Sequence, residues 1–548
     1  MIVSFLSFII LLIVLYGYSA FFKSTLGYSK IKSDKVLEVI NTDIIYGLFL
    51  LIVILIFFHF VLPLKYLIFP IFFLGLLLFI YYIKKKIFKF ENINLILLIT
   101  FIVFFINSSN GPTYDTQLYH HQILNWNSGY KIAMNLVLVD GRMGMVSPWY
   151  LFLSLGNIKF FDSILALIFN FVPVYILTSE AVNLLKKKLD IDKLYIILSA
   201  LFILLFSLIH PFENGIIMMH LGSLGTDFPA MIFFILTVYY FLKNFGKKDI
   251  KYYRYILILS TLTVFCRISY LPILLLSLFL FFNKKIFIKE INFNILLFFS
   301  YIFWVLRSLV NNGCLIFPVK FTCFKFNNYF PLEKVIQFSN VIKSFARTAP
   351  EHKEFMNLDF SIYSYDWFLP WLKNYFFVTS LTQVFFIITS IFLVPFVLKV
   401  IKTKKNYKKT SILILMYTIS IFLWLQAPDI RFALGILISI PIFFISFVIA
   451  KKYYKHLHII KYSFVFVLLA LVIKNFQNLN NIFEKNIYIR NYNYENFKVV
   501  KKINGMKVVR NSNNGFCYNT KHICKINENY NFTIQQNKFG NLKFVEKN

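Results

Sequence analysis

The sequence predicts an all-α polytopic membrane protein with about 12–14 transmembrane helices, external loops and a small C-terminal extracytoplasmic segment. Three observations predict it. Only 15% of the 548 residues are charged and 59% are hydrophobic, whereas an average soluble domain is about a quarter charged. A soluble chain of this length would need polar surface for two or more domains, and these charges are too few to supply it. The apolar residues also fall into runs close to the ~20 residues that cross a bilayer, and clusters of Lys punctuate those runs.

In chain order the candidate spans are 2–22, 45–62, 66–83, 93–107, 160–182, 194–209, 227–242, 293–310, 376–398, 411–426, 432–450 and 462–473. The first has no small-residue cleavage site before Phe22 and reads as a retained helix. The stretch 254–282 is too long for one span, and Arg267 interrupts it, so two short helices are expected to meet there. The Lys runs at 84–86, 186–188, 247–248, 284–285, 404–405 and 451–452 mark cytoplasmic turns by the positive-inside rule. The other face then receives loops 108–159, 210–226 and 308–375, the short turn 427–431 and the tail 474–548, beyond a membrane domain of residues 1–473. Both termini lie outside in this scheme. The net charge of +33 is accounted for by these topology signals and does not call for nucleic acid.

The tail carries thirteen Lys or Arg against four Glu, which by itself argues for the cytoplasm. The rule weakens for long translocated segments, however, and cysteine placement favours the outside. Cys314/Cys323 and Cys517/Cys524 form two close pairs, both on the external face, where disulfides persist. Free thiols are the alternative. No zinc spacing, P-loop or dinucleotide glycine pattern is present.

Polar residues gather in the first external loop. Asp115, Tyr119, Gln122 and Trp126 recur at helical spacing, with Leu118 and Ile123 able to face lipid, which predicts a short interfacial helix. Asp115 in its first turn could act as a general base, hold a divalent metal, or simply offset the helix dipole. Arg142 follows, near the aromatic anchor Pro148-Trp149-Tyr150. In loop 210–226, His210, Glu213 and His220 precede Asp227, whose alternative role is a helix cap. Arg267 within an apolar stretch needs a partner, either an acidic side chain or a lipid phosphate. Arg431 has the same choice, with Asp429 two residues away, and Arg307 at the end of a span invites both readings. In loop 308–375, Val335, Phe338, Ile342 and Phe345 predict an amphipathic helix lying on a surface or on a partner.

The pattern resembles an uncharacterised bacterial family of multi-spanning membrane proteins similar to GT-C-type glycosyltransferases. The residues that carry it are Tyr114-Asp115-Thr-Gln-Leu-Tyr119-His120 with Gly141-Arg142; His210-Pro with Thr226-Asp227; Arg307 leading to Gly313-Cys314-Leu-Ile-Phe-Pro318 and Thr322-Cys323; Pro428-Asp429-Ile-Arg431-Phe; and Cys517 to Cys524, over roughly residues 93–530. The resemblance implies a GT-C-like bundle in the bacterial cytoplasmic membrane. It implies transfer of a sugar from a polyprenyl-phosphate carrier to a glycan or glycolipid acceptor in cell-envelope synthesis. It further implies Asp115 as the base, with His120, Arg142, Asp227, Arg267, Arg307 and Arg431 on the substrate or its phosphate. Two features depart from GT-C enzymes. The acidic loop follows the fourth span, not the first, and it has no paired acidic motif. No cofactor is therefore expected, a divalent metal being the alternative. The competing functions are a polymerase of lipid-linked repeat units and a transporter or flippase. Only one interrupted helix is legible, at 254–282, without the paired interruption common in transporters.

Overall fold

A computed structural model describes residues 2–26, 41–88, 93–108, 115–158, 164–185, 187–208, 223–244, 250–281, 284–324, 332–348, 365–377, 407–452 and 457–477. In the tail it describes 497–503, 506–511, 517, 523–524, 532–536 and 542–546. The expected span 376–398, and His210, Glu213 and His220, lie outside the described residues apart from 376–377.

Helices dominate, as the apolar runs require, because a helix satisfies every backbone group within one segment. The first four are α1 (Ile2–Thr25), α2 (Ile44–Phe58), α3 (Ile68–Lys84) and α4 (Ile93–Ser108). The loop after α4 carries α5 (His121–Gly129) and α6 (Trp149–Ser154). Next come α7 (Ile164–Phe169), α8 (Val172–Leu185), α9 (Ile191–Leu208), α10 (Asp227–Asn244) and α11 (Ile250–Cys266). A 3₁₀ turn at Ile268–Ile273 leads to α12 (Leu274–Phe281), then α13 (Lys284–Lys289) and α14 (Ile291–Asn312). The remaining helices are α15 (Leu332–Thr348), α16 (Phe368–Phe377), α17 (Tyr407–Trp424), α18 (Leu434–Lys452) and α19 (Leu457–Gln477).

Among the described residues, five segments are both long and apolar enough to cross a membrane: Phe5–Thr25, Leu64–Lys84, Leu165–Leu185, Ile291–Asn312 and Ile430–Ala450. Others are shorter, such as Ile44–Phe58 and Ser411–Trp424. The expected span at 160–182 is present as Leu165–Leu185, with a local turn at Asn170 and Phe171 between α7 and α8. Pro173, which has no N–H to donate back across the turn, accounts for it, and Asn170 occupies it. Its Oδ1 accepts from Trp149 Nε1 at 2.8 Å and its Nδ2 donates to Ser223 O at 2.6 Å, so the side chain ties three segments together.

Burial separates a centre from a periphery. Side chains of α10 are buried along nearly its whole length. By contrast α3 and α14 turn large apolar side chains outward, with Phe69 77% and Phe298 64% exposed. An outward belt of this kind, together with five long apolar helices, is what a membrane protein presents to hydrocarbon. Helices α1 and α3 approach through glycine: a Cβ on Gly17 would stand 2.1 Å from Gly75 O, so only small residues permit the contact.

The tail forms strands. β1 (Phe497–Ile503) pairs antiparallel with β2 (Met506–Asn511), which pairs with β3 (Ile523–Cys524). β4 (Phe532–Gln536) and β5 (Leu542–Glu546) form an antiparallel hairpin. β5 docks on the loop after α4: Met134 N donates to Leu542 O at 2.9 Å, and Phe544 N donates to Met134 O at 3.0 Å. Tail and first loop therefore share one end of the bundle. Disulfides join Cys314 to Cys323 and Cys517 to Cys524.

Candidate functional site

The directions of the helices sort the polar residues into two ends. α11 runs from Lys251 and Arg254 to Arg267, α10 from Asp227 to Lys243, α2 from Asp43 to His59, and α14 from Glu290 to Arg307. At 1.5 Å per residue, the 17 residues of α11 hold its two ends roughly 25 Å apart.

At the end shared by the tail and the first loop, four chain segments converge. Asp115 heads a continuous helical stretch, with a π-helical turn at Thr116–His120 running into α5. Its carboxylate makes no cap bond, so helix capping does not account for it. Oδ2 instead accepts from Arg431 Nη1 at 3.1 Å. Arg431 lies in the 3₁₀ turn Ile430–Ala433, clamped by Asp429, whose Oδ2 accepts from Nε at 3.1 Å and from Nη2 at 2.9 Å. Trp424 Nε1 holds that turn by donating to Asp429 O at 2.8 Å.

Arg267 sits where α11 stops, in extended backbone (φ −150°, ψ 122°), as the interrupted apolar stretch predicted. It forms an ion pair with Asp227 at the start of α10, and its guanidinium lies over the Phe432 ring at 4.3 Å. Asp227 is thus more than a cap. Ser269 Oγ donates to Phe432 O at 2.9 Å and Gly435 N to Tyr270 Oη at 2.8 Å, fastening the break to the Arg431 turn. Thr116 Oγ1 accepts from Leu224 N at 3.1 Å, which draws the Asp115 helix to the segment before Asp227.

Surrounding groups are aromatic and neutral. Burial pushes the His120 imidazole down to about 3 and that of His121 to about 4, so both are uncharged at neutral pH. His120 consequently brings no cation to a phosphate. Burial, then the Asp115 charge, pushes the Tyr119 phenol above its ordinary range. Burial alone would raise the Asp429 carboxyl, but the Arg431 charge and hydrogen bonds hold it below the usual carboxylate range. Arg142 stacks over the Tyr119 ring at 5.3 Å. The amphipathic helix α15 leans over the cluster, with Phe345 5.9 Å from the Arg431 guanidinium. Leu118 and Ile123, read as able to face lipid, are 4% and 8% exposed inside the protein, where α6 and the Leu64–Tyr66 turn pack against α5.

Asp115, Asp227, Arg267 and Arg431 are therefore brought together, with Asp429, Tyr119 and Phe432 added. Asp429 was legible from its place two residues before Arg431; Tyr119 and Phe432 carried no charge signal. Arg307 stands apart. It contacts none of the four and donates to Asn127 Oδ1 at 2.9 Å. The cluster can orient a part-exposed carboxylate: Asp115 is 30% exposed, and its Oδ1 has no hydrogen-bond partner among the described residues. Because Arg267 and Arg431 already hold carboxylates, an incoming anion would have to displace or share those partners. No three His, Cys, Asp or Glu side chains gather as a metal site among the described residues.

Residues 1–438 match the model of a family described as a domain of unknown function, DUF8201, and the chain belongs to that family. No curated protein and no solved structure matches the chain.

Proposed function

We propose that this DUF8201 member is a multi-pass enzyme of the bacterial cytoplasmic membrane, crossing it twelve to fourteen times. In this reading it transfers sugar from a polyprenyl-phosphate carrier to a glycan or glycolipid of the cell envelope. The observation that carries the reading is the Asp115–Arg431 contact at 3.1 Å, at one end of an apolar bundle. A carboxylate with one oxygen fixed and the other open suits a general base for an acceptor hydroxyl. Arg431 orients it, while Asp429 keeps Arg431 in place. A lipid-linked donor carries its own leaving group, so the chain needs no nucleotide fold.

The test is to replace Asp115 with Asn and, separately, Arg431 with Ala, confirm membrane expression and examine surface glycans. Loss of one sugar from the glycan in both variants supports transfer. Accumulation of single repeat units would mark a polymerase instead, and unchanged glycans in both would remove the site.

A second reading has an observation in its favour. Besides the break at Arg267, the span Leu165–Leu185 carries a local turn at Asn170 and Phe171. Interrupted helices in pairs are a feature of transporters. A flippase would move the lipid-linked sugar across proteoliposomes and change no covalent bond.

A further inference from the structure

Helix α16 leads directly into the apolar run 376–398 and carries apolar side chains on two faces. One face packs on the protein. Trp371 is buried against the Trp424 ring at 6.2 Å, and its Nε1 donates to Pro428 O at 3.3 Å. Trp367, just ahead of the helix, is buried under the Arg347 guanidinium at 4.6 Å, and Arg347 Nη2 donates to Gln426 O at 3.1 Å. Residues 424–428 lead into Asp429 and Arg431, so α16 is fastened to the turn that reaches Asp115. The other face looks outward. Tyr365 is 91%, Leu369 65% and Phe368 45% exposed, at helical spacing.

Three observations choose what covers that face. The chain passes from α16 straight into an apolar run long enough to cross a bilayer. Helix α17 turns Leu415, Phe422 and Leu423 outward, and Phe422 lies two positions before Trp424, on which α16 rests. The outward apolar side chains of α17 therefore extend to the α16 contact. Asp366 and Lys373 are exposed at the two ends of the α16 face. Charges there are costly in hydrocarbon and well placed among headgroups, where a Lys stem lies along apolar surface with its ammonium in water. We propose that α16 is an interfacial anchor: its Tyr365–Phe368–Leu369 face lies in the headgroup layer of the bilayer, at the end that holds the Asp115–Arg431 cluster. Through Trp371 it sets the Asp429–Arg431 turn close to that layer. The anchor rests on the membrane placement in the proposed function and is independent of sugar transfer.

The experiment reconstitutes the full chain into phosphatidylcholine–phosphatidylglycerol vesicles with a nitroxide on Leu369→Cys or, separately, on Tyr365→Cys. Both positions are exposed, so neither label disturbs packing, and the free thiol Cys266 is buried. Phe298→Cys on α14 and Asp190→Cys ahead of α9 give the hydrocarbon and water references. Collisions with oxygen, which concentrates in lipid, are compared with collisions with a nickel chelate, which stays in water. The oxygen-to-nickel ratio at Leu369 and Tyr365 is expected several-fold above that at Asp190 and below that at Phe298, and unchanged when the protein is diluted with lipid. A ratio at either position equal to that at Asp190 overturns the proposal and leaves the face to a soluble partner or a glycan. A ratio that falls to the Asp190 value on dilution overturns it in favour of a second copy of the chain. If Phe298 reads as water, the membrane placement fails and the anchor with it; if Phe298 reads as lipid and Leu369 as water, the anchor alone fails.

Discussion

The two ends of the bundle use charge differently. At the end holding Asp43, the paired carboxylates are buried, although Lys251 beside Asp43 is 33% exposed. Lys23 Nζ donates to Asp43 Oδ2 at 2.7 Å with side chains 4% and 0% exposed, and Tyr255 Oη donates to Oδ1. Arg254 grips Glu290, with Nη2–Oε1 at 2.9 Å, and Tyr239 Oη donates to Glu180 Oε1 at 3.0 Å. At the Asp115 end, the Asp115–Arg431 pair is 30% and 27% exposed, and among the described residues one carboxylate oxygen is open and Arg307 has no ion-pair partner. A buried carboxylate such as Asp43 joins helices; the part-exposed Asp115 leaves an acceptor open to something that arrives. The difference teaches that charge in an apolar bundle is not itself a sign of function. Incomplete satisfaction at an accessible end is the better sign.

The comparison can be broken by experiment. The largest expected effect is at Asp115. Asp115→Asn should cut the proposed glycan transfer by about 10²–10⁴-fold, the usual range for a general base. Stability should shift by no more than ~1 kcal/mol, as for a part-exposed ion pair. A large stability loss with normal transfer would make this end structural like the other.

Asp43→Ala should behave in the opposite way. Removing one partner of a buried pair costs about 3–5 kcal/mol, read from denaturant unfolding of the solubilised protein. A loss below ~1 kcal/mol would mean that the Asp43 end carries little load.

A third effect depends on pH. His120 is held down to about 3 and His121 to about 4 against an ordinary 6.5. Between those values the unfolded chain binds protons that the folded chain does not, so stability falls as pH drops from about 6.5 toward 4 and is fully present above 6.5. Unfolding temperatures at pH 7 and pH 5 should converge in His120→Asn relative to the parent; an unchanged gap would show that another group sets the slope.

The smallest effect is expected at Arg142, whose side chain is 37% exposed and 3.9 Å from Asp140. Arg142→Gln should change stability by about 0–1 kcal/mol, and a larger loss would give the Tyr119 stacking contact an unforeseen weight.

By itself the sequence determined the segmentation of the chain. Apolar runs fixed where helices form, Lys clusters and chain alternation sorted the helix ends into two groups, and Arg267 marked the break after α11, because bilayer length and backbone satisfaction are local constraints. It also placed Asp429 beside Arg431, two positions apart on one turn. Which distant charges meet was decided only by tertiary structure. Asp115 and Arg431 are 316 positions apart, and Asn170 bonds both Trp149 and the Ser223 segment. Likewise, Leu118 and Ile123 look as fit for lipid as for a protein interior until their neighbours are known. Pairings of this kind follow from how helices stack and where loops fold back. A periodic apolar pattern records that a face is buried, and does not record against what.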